Sequence, residues 1–145
     1  MFLGKHFCRL DKNGQFIPPD EFSRCLTSDL YITQGFDHNL WVLSDSSFQT
    51  IYKKLTQLNL TDPIARLLFR LILGSATEVR FEGKGSISIS ENLREFANLK
   101  NEILLIGQGD YFEIWSADLW NIQEAEIRNL AANANRFSAF DITIC

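Results

Sequence analysis

Charged and polar side chains recur in step along this chain. Arg9 and Asp11 are answered by Arg80 and Glu82 at an offset of 71 residues, and Gln15 is answered by Ser86 at the same offset. Lys12 and Asn13 occupy one glycine-containing segment and Lys84 the other. Basic side chains beside tight turns suit phosphate contact, because turn tips are where function concentrates. Glutamine offers a donor and an acceptor that match adenine in the major groove, whereas serine makes single, weakly discriminating bonds. Arg9, Lys12, Arg80 and Lys84 are therefore candidate phosphate contacts, with Asn13, Gln15 and Ser86 in the same two segments. The bland alternative is that the four cations are solvated strand and turn charges, some of them paired with Asp11 or Glu82.

Other groupings carry less chemistry. Asp11 and Glu82 could be read as an acid/base pair, but no nucleophile or metal ligands accompany them, so turn and strand geometry explains them better. His6 and Cys8 lie two residues apart on one strand face, and the chain has only two histidines, which favours core packing over a metal site. Trp41, Trp115 and Trp120 could stack on bases; their place in apolar strands and a helix stripe favours core or subunit contact. Arg66 and Arg70, one helical turn apart, face either a neighbouring subunit or water. No catalytic, metal or cofactor site is expected.

The elements that must position these residues also come twice. Leu10-Asp11-Lys12-Asn13-Gly14-Gln15-Phe16-Ile17-Pro18 is echoed by Phe81-Glu82-Gly83-Lys84-Gly85-Ser86-Ile87-Ser88-Ile89. Leu40-Trp41-Val42-Leu43-Ser44 is echoed by Phe112-Glu113-Ile114-Trp115-Ser116, and Phe48 by Trp120, at an offset of 72. Each copy reads as hairpin, short helix, hairpin, capped helix. In the first, Phe2 to Leu10 and Gln15 to Ile17 are extended around Asn13-Gly14, a type I′ hairpin signal. Pro18-Pro19 ends the strand, Asp20-Glu21-Phe22 starts a helix, and Leu30 to Thr33 with Leu40 to Leu43 form a second hairpin. Ser44 is an expected N-cap for a helix with the stripe Phe48, Ile51, Tyr52 and Leu55. Asp62-Pro63 opens another, with Ile64, Leu67, Leu68, Leu71 and Ile72 in line and Gly74 after its end.

The second copy predicts strands over Thr77 to Phe81 and Ser86 to Ile89, with Gly83-Lys84-Gly85 between them. A helix runs from Ser90 to near Asn98. Ile103 to Ile106 and Phe112 to Trp115 form a hairpin turning at Gly107-Gln108-Gly109-Asp110. Ser116 caps a helix carried through Leu119, Trp120, Ile127 and Leu130. The tail Phe137 to Cys145 alternates apolar residues and is expected to dock on the body or on a neighbour. Neither copy is long enough to close a good core alone, so the two are expected to interlock. The resulting class is α+β, with a barrel-like core.

Composition bounds the partners. The chain has 145 residues, 46% apolar and 22% charged, the make-up of one globular domain. No apolar run approaches the roughly 20 residues of a membrane-spanning helix, and the first residues lack a secretory pattern, so a cytoplasmic location is expected. A net charge of −4 excludes a uniformly basic nucleic-acid binder but permits a local basic face. Cys8, Cys25 and Cys145 are widely spaced and read as small hydrophobes in a reducing compartment, Cys145 as an exposed thiol at most.

In its ordered motifs the chain resembles the MraZ transcriptional regulators, which carry two SpoVT-AbrB-like repeats. The resemblance runs from Met1 to about Ala125. It rests on Met1-Phe2-x-Gly4, on Leu10-Asp11-x-x-Gly14, and on Pro18 before the first helix. The middle matches through Leu60-Thr61-Asp62-Pro63-x-Ala65-Arg66 and Arg70-Leu71-x-Leu73-Gly74-x-Ala76. The longest match is Glu102-Ile103-Leu104-Leu105-Ile106-Gly107-Gln108 with Phe112-Glu113-Ile114-Trp115 after it.

The resemblance implies a swapped-hairpin AbrB-like β-barrel with short peripheral helices, the repeats acting as a pseudo-dimer. It also implies a ring-shaped homo-oligomer, located at the nucleoid, that binds double-stranded promoter DNA at direct repeats of the division and cell-wall gene cluster. On this plan repeat 1 covers about 5–47, linking helices about 48–76, repeat 2 about 77–119, and the C-terminal helix and tail 117–145. Each family repeat carries D-x-x-x-R on its first hairpin, the arginine facing DNA, and the resemblance thereby implies that DNA is the ligand of Arg9, Lys12, Asn13, Gln15, Arg80, Lys84 and Ser86. This chain has Gln15 and Ser86 in place of those arginines, and Glu82 in place of the second aspartate. Each lost bidentate arginine removes about 1–3 kcal/mol of base discrimination. The alternative reading is an oligomeric scaffold of the same fold with weakened or lost sequence-specific binding.

Overall fold

Local signals place most of the elements. The computed structural model describes residues 1–81 and 85–142. In repeat 1, β1 (Lys5–Arg9), β2 (Gln15–Phe16), α1 (Asp20–Ser23), β3 (Asp29–Gln34) and β4 (Leu40–Ser44) lead into α2 (Asp45–Thr56) and α3 (Pro63–Ile72). Repeat 2 follows with β5 (Thr77–Arg80), β6 (Ile87–Ser88), α4 (Glu91–Phe96), β7 (Glu102–Gly107) and β8 (Phe112–Ser116). Two helices close the chain, α5 (Ala117–Arg128) and α6 (Leu130–Ser138). Ser44 and Ser116 cap α2 and α5 as expected, accepting from the backbone N–H of Ser47 and Leu119 at 3.3 and 3.1 Å. The Asp62 carboxylate caps α3 through Ile64 N–H at 2.9 Å.

Strand pairing carries the fold. Six antiparallel strands run in the order β1-β7-β8-β4-β3-β5, and β2 and β6 form a separate antiparallel ribbon. β1 of repeat 1 lies on β7 of repeat 2, and β5 of repeat 2 lies on β3 of repeat 1. Trp41 is register partner to Glu113, its own equivalent in the other copy, and Phe16 is partner to Ile87, also its equivalent. Residues that pair with their own equivalents lie on a local two-fold axis, as in a symmetric dimer interface. The two halves are thus one body, with Phe16, Ile87, Leu30, Ile32, Ile103, Leu105, Phe112 and Ile114 at 0–2% exposure in a shared core. A second cluster, Leu104, Ile106, Trp115 and Trp120, lies between the sheet and α5.

Several expectations change. The arms of the first hairpins, β1 with β2 and β5 with β6, do not ladder with each other; each pairs across the repeats instead. The reason is burial: only the crossed arrangement puts Phe16 and Ile87 together in the common interior. β1 starts at Lys5 rather than Phe2 because Gly4, at φ +85°, breaks the extended run, although Phe2 still bridges to Gly109. Among the described residues the ladder is open, ending at β1 and β5, and no closed barrel is formed.

The last helix breaks at Asn129, whose side chain caps α6 through Ala132 N–H at 3.2 Å, so Leu130 starts a new helix and is 77% exposed. Of the two docking partners expected for the tail, the body is not covered by its described part: Phe137, Phe140 and Ile142 are exposed, and Thr143 to Cys145 lie outside the described residues. On α3, Ala65 and Ile72 are buried, whereas Ile64 and Leu67 of the predicted stripe are exposed.

Candidate nucleic-acid interface

The first loop is built by Asp11. Its Oδ1 accepts from the backbone N–H of Asn13 and of Gln15, both at 2.9 Å, while Gly14 N–H donates to Asp11 O at 3.0 Å. This is an aspartate-capped turn, and it gives Asp11 the structural role its type suggests. The turn is not type I′. Within it only Gly14 has positive φ (+78°), the arrangement of a type I turn followed by a glycine bulge. The bulge re-aims the chain, which leaves Lys12 and Asn13 exposed at the tip and turns Phe16 inward.

Ser86, immediately before β6, approaches the first loop across the local two-fold axis. Ser86 Oγ donates to Gln15 Oε1 at 3.4 Å, so the residues that stand where the family motif has arginine face each other. Arg9, Asp11, Gln15, Phe16, Ile17 and Ser86 line one groove of about 460 Å³. Arg9 ends β1 opposite Glu102 and is exposed. Arg80 is also exposed, but it ends β5 at the far edge of the sheet, opposite Asp29, and does not line that groove. Glu82 and Lys84 lie outside the described residues. Among the described residues, the predicted strip of four cations is represented in the groove by Arg9, with Lys12 at the loop tip beside it.

No local signal in the sequence marks Arg94. It comes from α4 of repeat 2, and its guanidinium covers Gly14 of repeat 1. A Cβ at Gly14 would lie 2.6 Å from Arg94 Nε and 2.8 Å from Ile89 O. Arg94 Nε donates to Ile89 O at 3.1 Å, and Ile89 N–H donates to Gly14 O at 2.8 Å. The repeat register could have found it, since Leu93 is the equivalent of Phe22 and both are buried, but no local pattern brings Arg94 to the first loop.

The remaining chemistry-bearing residues take structural places. Trp115 and Trp120 are buried with ring centroids 5.4 Å apart, and half-buried Trp41 meets the edges of Phe36 and Tyr111. His6 packs on Phe22 at 4.7 Å, and half-buried Cys8 has its thiol pKa raised by burial. Arg66 Nη1 donates to Leu60 O and Thr61 O at 3.0 and 3.2 Å, bracing the start of α3, while Arg70 is exposed. Glu113, on the axis, accepts from Asn39 Nδ2 at 2.8 Å and Trp115 Nε1 at 3.0 Å. Its partial burial raises its carboxyl above the ordinary range despite these donors.

Two crossed α+β repeats joined about a local two-fold define a duplicated α+β fold, and among the described residues its groove holds no acid/base pair or nucleophilic centre. Comparison with known proteins agrees. The model of the family described as "MraZ protein, putative antitoxin-like" matches the chain twice, over residues 1–71 and 72–141. The chain belongs to the MraZ family. A protein of Halothermothrix orenii named transcriptional regulator MraZ is 38% identical over 120 residues, covering 83% of this chain and 84% of its own length. One of the same name from Corynebacterium glutamicum is 36% identical over 126 residues, covering 87% and 88%. Another, from Herpetosiphon aurantiacus, is 32% identical over 143 residues, covering 98% and 100%. These are names of regulators, not of enzymes.

Proposed function

We propose that this chain is a transcriptional regulator that binds double-stranded DNA through the paired first-hairpin loops. Arg9, Lys12 and Asn13 would meet the backbone, with Arg80 and Lys84 as the corresponding cations of repeat 2, and Gln15 and Ser86 would meet base edges. The observation that carries this reading is the groove at the local two-fold axis, to which Arg9 and Gln15 of one repeat and Ser86 of the other contribute. Phosphate contacts position a protein on the duplex and base contacts specify the sequence. Gln15, held against Ser86, offers its amide to adenine, in place of the guanine fork an arginine would give.

We further propose that the unit 1–145 works as a ring-shaped homo-oligomer at the nucleoid of the cytoplasm, on promoter direct repeats of the division and cell-wall gene cluster. In this reading repeat 1 (about 5–47) and repeat 2 (about 77–119) interlock as exchanged hairpins in a barrel-like body, and the segments 48–76 and 117–145 lie around it. Exposed Leu60, Ile64 and Leu67, at 55, 69 and 59%, give α3 and its approach an apolar face suited to self-association. Several subunits on several DNA repeats gain avidity by factors on the order of 10² or more, which offsets weak single loops.

A second reading has its own support. Gln15 and Ser86 bond to each other, and neither replaces the charge of an arginine, which favours an oligomeric scaffold that has lost specific recognition. A salt titration of binding to the chain's own upstream duplex and to a scrambled duplex separates the two. Preference for the native duplex, weakened by Arg9→Ala, supports the regulator. Equal affinity for both duplexes at every salt concentration refutes it in favour of the scaffold.

A further inference from the structure

The two repeats solve one anchoring problem with different side chains. In repeat 2, Arg94 Nε donates to Ile89 O at 3.1 Å. The equivalent pair in repeat 1, at an offset of 71, is Ser23 and Pro18, and Ser23 Oγ donates to Pro18 O at 3.4 Å. A serine hydroxyl therefore suffices to tie the short helix to the end of the preceding strand. An arginine brings five N–H donors and a permanent charge to the same task, and the tie uses one of them. Among the described residues neither Arg94 Nη group has a hydrogen-bond partner and no carboxylate pairs with it.

What anchoring leaves over lies beside the first loop. The guanidinium caps Gly14, next to Gln15 and two residues from Lys12, and stays partly open to solvent. Its plane is fixed by the Nε bond, so little side-chain freedom remains to be lost on meeting a planar or tetrahedral anion. Gly14 is required for this approach, because any Cβ there would occupy the guanidinium's place. We propose that Arg94 is a DNA-phosphate contact of the first loop, supplied by repeat 2, whose counterpart in repeat 1 is Ser23. This rests on the DNA-binding reading above and adds to it an asymmetry: repeat 2 lends the first loop a fixed guanidinium, whereas repeat 1 has only the Ser23 hydroxyl at the equivalent position.

The test is the salt dependence of binding by the full chain and by Arg94→Gln, with native and scrambled duplexes. One phosphate contact contributes about 0.9 to the slope of log K against log salt. Arg94→Gln is expected to flatten the slope by about one and to weaken both duplexes alike, roughly 5- to 10-fold at 0.1 M salt. Arg94→Lys, which keeps the charge, is expected to restore most of the slope.

Wild-type binding with an unchanged slope in a folded Arg94→Gln variant overturns the contact and leaves the DNA reading standing. Failure of the wild type to bind either duplex overturns the DNA reading itself, and the contact with it. Should Arg94→Gln not fold, guanidinium NMR of the wild type decides: duplex must shift the Arg94 Nη signals, and unmoved signals in a bound sample overturn the contact.

Discussion

Replacing Gly14 with alanine tests the crossed packing most directly. Gly14 has φ +78°, where an L-residue costs about 1–2 kcal/mol. Its new Cβ would also meet Arg94 Nε at 2.6 Å and Ile89 O at 2.8 Å, so the Arg94 tie and the Ile89 N–H bond to Gly14 O must both give way. Two net hydrogen bonds at about 1 kcal/mol each bring the expected loss to about 3–4 kcal/mol. Gly109 supplies the control: its φ is +84°, and nothing lies within 4 Å of a Cβ there. Gly109→Ala should therefore cost only the backbone share, about 1–2 kcal/mol. Urea unfolding at fixed protomer concentration measures both, with the slope m unchanged. In an Arg94→Ala background Gly14→Ala should cost less than in wild type, because part of its obstacle is gone. Equal losses at Gly14 and Gly109, with no coupling to Arg94, would refute the cross-repeat clamp.

Other consequences are accessible to the same assays. Ser116→Ala removes the cap of α5 and should cost about 1 kcal/mol in chemical unfolding. Trp120→Ala opens the layer between α5 and the sheet, and should cost about 3–5 kcal/mol, read as a lower midpoint of chemical unfolding followed by far-ultraviolet circular dichroism. Glu113 binds its proton more tightly folded than unfolded, because partial burial raises its pKa from the ordinary 4.5. Its contribution is thus most favourable below pH 4.5 and is lost as pH rises through the raised folded value, so Glu113→Gln should flatten that part of the stability profile. Asn39→Ala removes the donor to Glu113 Oε2 and should destabilise the chain by about 1–3 kcal/mol at neutral pH.

Signals that act over a few residues were legible in the sequence. Ser44, Asp62 and Ser116 announce their helices because a cap bonds two or three residues ahead. The turn at Gly107 to Asp110 and the strands beside it follow from alternation and glycine. Asp11 and Gly14 mark the first loop but not its type: Asn-Gly fits a type I′ turn, whereas the Asp11 carboxylate, which accepts from the N–H groups of both Asn13 and Gln15, selects a bulge instead. Apolar spacing marked α3 as amphipathic, and it could not say that Ile64 and Leu67 look outward, because periodicity carries no address for what covers a face.

By itself, then, the chain determined its duplication, its caps and turns, and the polar residues of its first loop. Which strand each arm joins was decided in three dimensions, where Phe16 and Ile87 are buried only if β2 meets β6 across the repeats. The same crossing placed Ser86 against Gln15 and Arg94 over Gly14, contacts between residues 71 and 80 positions apart that no local propensity encodes. Caps and turns are set by bonds within a few residues, whereas the site is set by which surfaces must leave water together.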